Sequence, residues 1–309
     1  MANVNSVIRN AMTIDVEDYF QVSALAPHIP RDSWDSRECR VEQNVDRILA
    51  MLEDGGANAT FFTLGWVAER YPGLVRRIVA GGHELASHGY AHLRANEQSP
   101  AEFHEDVSRA KKLLEDLGGV EVKGYRAPSF SIGRDNLWAL DTLLETGHRY
   151  SSSIYPIAHD HYGMPEAPRF AFNAGRDKLL LEIPATTIHL MNRNLPASGG
   201  GYFRLLPYSI SRWSIRRVNE TDGQPCVFYF HPWEIDPGQP RYQNLGFKTR
   251  FRHYVNLSRM EDRIRLLLRD FKWDRMDRIF LTGDQNAAER SKNELKSIAV
   301  PNSAMSPIS

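Results

Sequence analysis

Two histidines four residues apart, His88 and His92, are the side chains in this sequence whose spacing first points to chemistry. Side chains at this spacing can face the same way and share one metal ion. Neutral imidazole nitrogen is a good ligand for zinc and for the neighbouring first-row metals. Two histidines leave such a site incomplete, and a motif this short also fits two histidines in a surface loop. An acidic partner would favour the metal site.

The acidic residues Asp15, Glu17 and Asp18 supply that partner, directly after the apolar stretch 11–14. Three carboxylates at the end of a buried strand are costly unless they have partners. A site of two histidines and one carboxylate keeps open positions, which is typical of a catalytic rather than a structural metal centre. We therefore expect one divalent metal ion, Zn2+ in the first place, with Co2+, Ni2+ or Mn2+ as alternatives.

Composition limits the classes of partner. The 309 residues include 38 Lys and Arg and 38 Asp and Glu side chains, so the formal charge is zero. This balance argues against nucleic acid or an anionic membrane as the main partner, although it leaves a local patch open. The sequence shows no basic stretch followed by an apolar segment at its start and no run of membrane-span length. We therefore expect a cytoplasmic protein, and the oligomeric state is left open.

Strand-like and helix-like segments alternate along the chain, which predicts an α/β fold with parallel strands and right-handed crossovers. The candidate residues follow strands: the acidic cluster the first, and His88, Arg126 and His231 later ones. An α/β barrel gathers such residues at the carboxyl ends of its strands. An open doubly wound sheet would also use strand ends. Four separate strands converge more readily in a closed barrel, so we favour the barrel.

The sequence predicts one domain at residues 10–285 and a polar, disordered tail at 286–309. An irregular insertion is expected at about 160–206. It begins with two paired strands, and its glycine-rich part, Gly199–Gly201, is expected to lie beside the site.

Two expectations concern the carboxyl-terminal part of the domain. A long helix at 251–271 has a basic face at 259–269, which is interpreted as a solvated surface and alternatively as a docking site. The last strand is expected at 278–281.

Four motifs in a fixed order resemble the polysaccharide deacetylases of carbohydrate esterase family 4, over roughly residues 10–285. They are the acidic motif Asp15–Asp18, the pair His88-Gly-Tyr-Ala-His92, the motif Arg126-Ala-Pro128-Ser-Phe130, and Phe230-His231-Pro232. Each motif is weak alone, but four in this order are specific. Further stretches resemble the branch found with exopolysaccharide biosynthesis genes: Glu17–Phe20, Gly199–Arg204 and His231–Glu234. The resemblance implies a distorted (β/α) barrel with about seven parallel strands and an active site at their carboxyl ends.

The resemblance also implies roles for individual residues. His88, His92 and either Asp18 or Glu17 would bind the metal. Asp15 would be the general base, with Glu17 as the first alternative. Arg126 would pair with Asp15 and keep it ionised, and His231 would protonate the leaving amine. The residues expected to contact the sugar are Pro128, Phe130, Tyr202 and Trp233.

This chain departs from the usual family pattern in two places. The two aspartates of the first motif, usually adjacent, are separated here by Val16 and Glu17, so the acidic ligand stays open between Glu17 and Asp18. Gly89 replaces the Ser or Thr that the second motif usually has, which removes one side-chain hydrogen bond.

The expected function is metal-dependent removal of N-acetyl groups from the amino sugars of a polysaccharide or its precursor, with release of acetate. The same barrel could instead hydrolyse a non-sugar amide, an imide or a formyl group. An inactive carbohydrate-binding homologue is disfavoured, because the proposed acid, base and metal positions all hold competent residues.

Overall fold

The computed structural model describes residues 8–159 and 162–281, so the expected tail at 286–309 lies outside the described residues. The strands of this part are β1 (Arg9–Val16), β2 (Thr60–Thr63), β3 (Glu84–Ser87), β4 (Gly124–Tyr125), β5 (Tyr150–Ser151), β6 (Phe172–Ala174), β7 (Leu180–Glu182), β8 (Thr187–Leu190), β9 (Arg193–Pro196), β10 (Val227–Phe230) and β11 (Lys272–Asp274). The helices are α1 (Val41–Asp54), α2 (Gly65–Arg70), α3 (Pro72–Ala80), α4 (Pro100–Gly118), α5 (Trp138–Glu145), α6 (Gly200–Leu205), α7 (Tyr208–Arg217), α8 (Phe247–Tyr254), α9 (Met260–Asp270) and α10 (Met276–Phe280).

The main sheet has seven consecutive parallel strands among the described residues, in the order β10-β1-β2-β3-β4-β5-β7. The two ends of this strand order approach each other. The hydroxyl of Thr186, which follows β7, accepts a hydrogen bond from the N–H of Val227 in β10 at 2.6 Å. The predicted fold, a distorted (β/α) barrel with about seven parallel strands, is therefore confirmed. Two further strands join it: β11 pairs parallel with β1, and β6 antiparallel with β7.

The central strand β1 is buried along its whole length after Arg9. A strand covered on both faces is expected to be a nearly continuous apolar run, as parallel sheets usually show. In β1 that run is interrupted by Asn10, Thr13 and Asp15, which are buried as well. Buried polar side chains in such a strand need hydrogen-bond partners. The partner that Thr13 and Asp15 share, Arg126, is a residue of the candidate site.

Helix α4 begins and ends as its sequence predicts. For α4, Ser99 and Glu102 form a reciprocal capping box, and Gly119 adopts a left-handed conformation (φ 65°) at the end. None of the helices in the described ranges is long and apolar enough to cross a membrane.

Three expectations about local structure need correction. The region 160–206 is more regular than expected, since beyond the predicted pair β6–β7 it contains the hairpin β8–β9 and the helix α6. The helix expected at 251–271 is interrupted, because Asn256 adopts a left-handed conformation (φ 52°) between α8 and α9. The last strand of the described residues is β11, and residues 278–281 belong to and follow α10. The apolar side chains of α10 pack on the sheet as one helical face.

The predicted basic face at 259–269 is largely occupied within the chain. Arg263 donates to the carbonyls of Phe203, Arg204 and Leu206, and Arg265 pairs with Asp54. These contacts favour the interpretation as a structural surface over a docking site.

Candidate active site

The candidate residues meet at the carboxyl ends of the parallel strands. Asp15 lies in β1 opposite Phe62 of β2, and Glu17 follows the same strand. His88 directly follows β3, Arg126 follows β4 and His231 follows β10. Because these strands are neighbours in the sheet, residues more than 200 positions apart in sequence come into contact.

Among the described residues, Glu17, His88 and His92 form a group that could hold a metal ion. Their ligand atoms lie within 4.8 Å of one another, and all three side chains are buried. Nδ1 of His88 bonds to the carbonyl oxygen of Arg126 at 2.7 Å, so this nitrogen carries the hydrogen. The lone pair of His88 is therefore on Nε2, where a metal can accept it.

The electrostatics of this group fit a divalent cation. Burial alone would raise the pKa of Glu17, but the adjacent His92 and His231 lower it to about 2. Burial lowers the pKa of His88 to about 4. At neutral pH the site thus has an ionised carboxylate and a neutral imidazole, which are the protonation states that metal binding requires.

One atom of the group lacks a hydrogen bond within the described ranges. Oε2 of Glu17 is buried and accepts none, although Nε2 of His92 lies only 2.7 Å away. A buried carboxylate oxygen without a donor is costly, and a cation bound between it and the two imidazoles would remove that cost. The residues present therefore fit a metal ion with two nitrogen ligands and one oxygen ligand.

Asp18, the other candidate for the acidic ligand, has a different position. One of its carboxylate oxygens accepts from the backbone N–H of Tyr19, and the other accepts from Arg40 and Val41, where α1 begins. Burial raises the pKa of Asp18 to about 6, against the effect of these bonds. The expectation that Asp18 could be the ligand is thus corrected: Asp18 holds the start of a helix, and Glu17 lies with the histidines.

The loop between the two histidines explains the departure at Gly89. Gly89 has a φ of 76°, and a Cβ there would lie 2.7 Å from an oxygen of Asp106. Asp106, from α4, accepts the N–H of Tyr90 at 3.0 Å and fixes the loop. A carboxylate from a neighbouring helix thus occupies the space that a Ser or Thr at position 89 would need.

Asp15 and Arg126 form a buried ion pair, with Oδ1 of Asp15 2.6 Å from Nη1 of Arg126. Arg126 also donates to the hydroxyl of Thr13 and to the backbone carbonyl and hydroxyl of Ser152. These bonds fix the guanidinium, so only one oxygen of Asp15 is engaged. The other, Oδ2, faces His231, whose Nε2 is 3.9 Å away.

His231 is held from the side opposite to Asp15. Its Nδ1 and its backbone N–H both bond to Oε2 of Glu234, at 3.1 and 3.0 Å, and Oε1 of Glu234 accepts from Nε of Arg204 at 2.9 Å. Burial alone would lower the pKa of His231, but Glu17, Glu234 and Asp15 raise it to about 9. Neither Glu234 nor Arg204 was predicted as a site residue. The available signals were the three-residue spacing of His231 and Glu234 and the two stretches that resemble the exopolysaccharide branch, Gly199–Arg204 and His231–Glu234.

The glycine-rich stretch allows this arrangement. Gly200, at the start of α6, lies so close to Glu234 that a Cβ there would be 1.9 Å from Oε2. Arg204 follows one helical turn later and reaches the same carboxylate. The absence of a side chain at Gly200 therefore brings a helix backbone and a buried carboxylate into contact.

The four residues expected to contact the sugar have different surroundings. Pro128 and Phe130 are buried directly after Arg126, and Tyr202 is half-buried. Trp233 needs correction, because it is only 5% exposed and its ring stacks with His231 and His253. Its Nε1 donates to Glu17 at 3.2 Å. Trp233 therefore orients the site and leaves little surface for a sugar.

A wall of aromatic rings beside the site was not predicted. Phe130 packs against Tyr155 and Tyr229 with centroid distances of 5.3 and 4.9 Å, and Tyr162 stacks on Tyr155. These tyrosines are scattered in sequence, so no local pattern identifies them.

Residues 32–149 match the family described as "Polysaccharide deacetylase", and residues 152–281 match "Domain of unknown function (DUF3473)". The chain is similar to a peptidoglycan-N-acetylglucosamine deacetylase of Bacillus cereus, with 32% identity over 31% of this chain and 35% of that protein. It is also similar to a chitooligosaccharide deacetylase of Bradyrhizobium sp., with 37% identity over 22% of this chain and 31% of that protein. The chain thus spans about a third of the length of these relatives.

A crystal structure of a Mycobacterium smegmatis protein assigned to the polysaccharide deacetylases has the same fold. Its TM-score is 0.55 at 19% sequence identity, and the match covers 99% of this chain and 97% of that one.

Proposed function

We propose that the chain, whose residues 32–149 match the polysaccharide deacetylase family, is a metal-dependent carbohydrate N-deacetylase. The reaction is hydrolysis of the N-acetyl groups of amino sugars in a polysaccharide or its precursor. The observation that carries the proposal is the meeting of the Glu17–His88–His92 group with the Asp15–Arg126 pair and with His231. The sequence resemblance to the exopolysaccharide branch supports an exopolysaccharide as the polymer that carries these N-acetyl groups.

The metal-ligating residues are Glu17, His88 and His92. A divalent ion bound there, Zn2+ in the first place, would supply Lewis acidity for the acetyl carbonyl and lower the pKa of a water. The neighbouring His92 and His231 keep Glu17 ionised, burial keeps His88 neutral, and the Arg126 carbonyl fixes the hydrogen of His88 on Nδ1.

Asp15 is the general base of this proposal. Arg126 fixes Oδ1, so Oδ2 is left to take a proton from the attacking water. The water oxygen then bonds to the acetyl carbon, and the carbonyl becomes a tetrahedral oxyanion. Arg126 also keeps Asp15 oriented, because four further contacts restrict its guanidinium.

His231 is the general acid. Glu234 accepts the hydrogen on Nδ1, so Nε2 points toward Asp15 and Glu17 and donates its proton to the amine nitrogen. The carbon–nitrogen bond breaks as the amine accepts this proton, which gives a free amino sugar and acetic acid. The acetic acid loses its proton to solvent and leaves as acetate. Asp15 returns the proton it took, which restores His231 for the next turnover.

Acetate release tests the proposal. The purified protein is incubated with a chitooligosaccharide or a peptidoglycan fragment, before and after removal of metal with a chelator, and after addition of Zn2+, Co2+, Ni2+ or Mn2+. We expect acetate release that the chelator abolishes and one or more of these ions restore. His88→Ala should lose bound metal in elemental analysis. Metal-independent turnover, or full metal content in His88→Ala, would contradict the proposal.

A further inference from the structure

A groove of about 350 Å³ lies on the outer side of α8 and has no part in the proposed chemistry. It is lined by Phe247, Arg250, Phe251, Tyr254 and Val255, and we call it the α8 groove. Phe247 is 86% exposed and Phe251 47%, and their rings lie 6.3 Å apart with 16° between their planes. Exposed aromatic rings that line a concave surface are typical of a binding site.

The α8 groove has one lining arginine, Arg250, and lies in a basic segment of a protein without net charge. Residues 237–260 contain five Arg and Lys side chains and no Asp or Glu. Arg250 lines the groove, and the guanidinium of Arg241 lies 4.9 Å from the ring centroid of Tyr254. The α8 groove thus offers aromatic faces and guanidinium groups together, which fits a ligand with a flat face and a negative charge.

The helix beside the groove contacts residues that hold His231, the proposed general acid. Arg204, which bonds to Glu234, also donates to the carbonyls of Arg252, His253 and Val255 at the end of α8. His253 stacks on Trp233 at 4.4 Å, and Trp233 stacks on His231. The helix that carries the α8 groove is therefore connected to His231 through the two buried rings of His253 and Trp233.

We propose that the α8 groove is a subsite for an acidic sugar unit of the polymer, near the N-acetylated unit that is hydrolysed. The inference rests on the proposed function and specifies its substrate class, a glycan in which N-acetylated units alternate with carboxylate-bearing units. The sugar ring packs on Phe247 and Phe251. Its carboxylate pairs with Arg250 and Arg241 through charge-assisted hydrogen bonds.

Binding, measured by calorimetry without turnover, tests this subsite. The two probes are a neutral N-acetylglucosamine hexamer and a hyaluronan hexamer, in which every second unit is a glucuronate. We expect the hyaluronan hexamer to bind about tenfold more tightly, the effect of one charge-assisted contact. This preference should decrease at high ionic strength.

Variants assign the preference to the groove. Arg250→Ala combined with Arg241→Ala should reduce affinity for the hyaluronan hexamer to that of the neutral one, and Phe251→Ala should weaken both. The matched control is Arg216→Ala, because Arg216 is an exposed arginine near Ile8 and Lys272, at the opposite end of β1. Equal affinity for the two probes, or an unchanged preference in the double variant, would overturn the inference.

A third probe separates glycan from membrane. Vesicles containing anionic phospholipid should bind no better to the wild type than to the double variant. Vesicle binding that requires Arg250 and Phe251, without a preference for the acidic hexamer, would make the groove a membrane contact and overturn the inference. Acetate release from both hexamers is scored separately. Failure with both, with the binding preference intact, rejects the proposed function alone.

Discussion

The site has two sides, which are held by different kinds of contact. The metal side contains Asp15, Glu17, His88, His92 and Arg126, and the acid side contains Arg204, His231 and Glu234. His88 and Arg126 directly follow adjacent strands, and backbone bonds such as the one from His88 Nδ1 to the Arg126 carbonyl fix them. His231 depends instead on a buried ion pair, Glu234 with Arg204, that comes from a separate helix. Neighbouring strands are enough to position one side, whereas the other requires a distant segment to pack correctly.

The two sides also differ in what the comparisons cover. His88 and Arg126 lie in the part that matches polysaccharide deacetylases, while Arg204 and His231 lie in the part that matches a family of unknown function. The acid of the proposed mechanism is thus contributed by the less understood part. We expect neither part alone to be active.

The largest effect is expected on the metal side, from Asp15→Asn. The amide cannot take the proton of the water, so kcat should fall about 10²–10⁴-fold, while elemental analysis should find metal content unchanged. Asp18→Asn is the matched control, since it makes the same chemical change at the start of α1. It should retain activity and lose about 1 kcal/mol of unfolding free energy. Full activity in Asp15→Asn would leave Glu17 as the base.

On the acid side, Arg204→Met should act first on stability. It leaves the carboxylate of Glu234 buried without its cation, which costs about 3–5 kcal/mol of unfolding free energy. Adding Glu234→Met should recover much of this loss without restoring activity, because His231 then lacks its partner. Chemical denaturation of both single variants and of the double variant measures the coupling. Additive losses would show that the pair contributes nothing as a pair.

A smaller effect is expected from Gly200→Ala. The added Cβ would meet Oε2 of Glu234, so α6 or the carboxylate must move, at about 1–3 kcal/mol. Because Oε2 is the atom that bonds to His231, kcat should fall more than KM changes. Gly201→Ala is the control, since a Cβ there meets nothing within 4 Å. Equal kinetics for the two variants would show that the contact with Glu234 is unimportant.

The smallest effect concerns the pH dependence of stability. Burial lowers the pKa of His253 from 6.5 to about 3. Below pH 6.5 the unfolded chain therefore binds a proton here that the folded chain does not bind until about pH 3, so acidification through this window favours unfolding. His253→Phe should reduce the pH dependence by up to about 1.4 kcal/mol per pH unit.

Urea denaturation at pH 7, 6 and 5 measures this slope. His189→Phe, at an exposed position in β8, should leave the slope unchanged. A slope in His253→Phe equal to that of the wild type would show that another group causes the acid sensitivity.

The metal side could be predicted from sequence because its information is local. The spacing of His88 and His92 and the acidic residues after a buried strand are visible without a structure, as are the alternating segments that gave the barrel. The choice between Glu17 and Asp18 could not be made from the sequence, because it depends on a turn after β1 that directs adjacent carboxylates to different partners.

The contacts of the acid side could not be predicted from sequence, because only long-range packing brings its residues together. Arg204 and Glu234 are 30 positions apart, and nothing in their local sequence indicates that they form a buried pair. The glycine-rich stretch was predicted to be irregular, because glycine usually disfavours helices. Here it begins a helix, since only a residue without Cβ fits against Glu234.

The adjacent positions of Glu17 and Asp18 limit how this protein can vary in length. One carboxylate faces the histidines and the next holds the first amides of α1, so a single-residue deletion between Val16 and Tyr19 would leave one of the two tasks without a side chain. An insertion there would separate the tasks by one residue and rotate one carboxylate away from its partner. A substitution in this turn changes one of the two tasks and leaves the other in place, whereas a change of length displaces one carboxylate relative to the other. We therefore expect homologues with this arrangement to differ here in residue type and never in residue number.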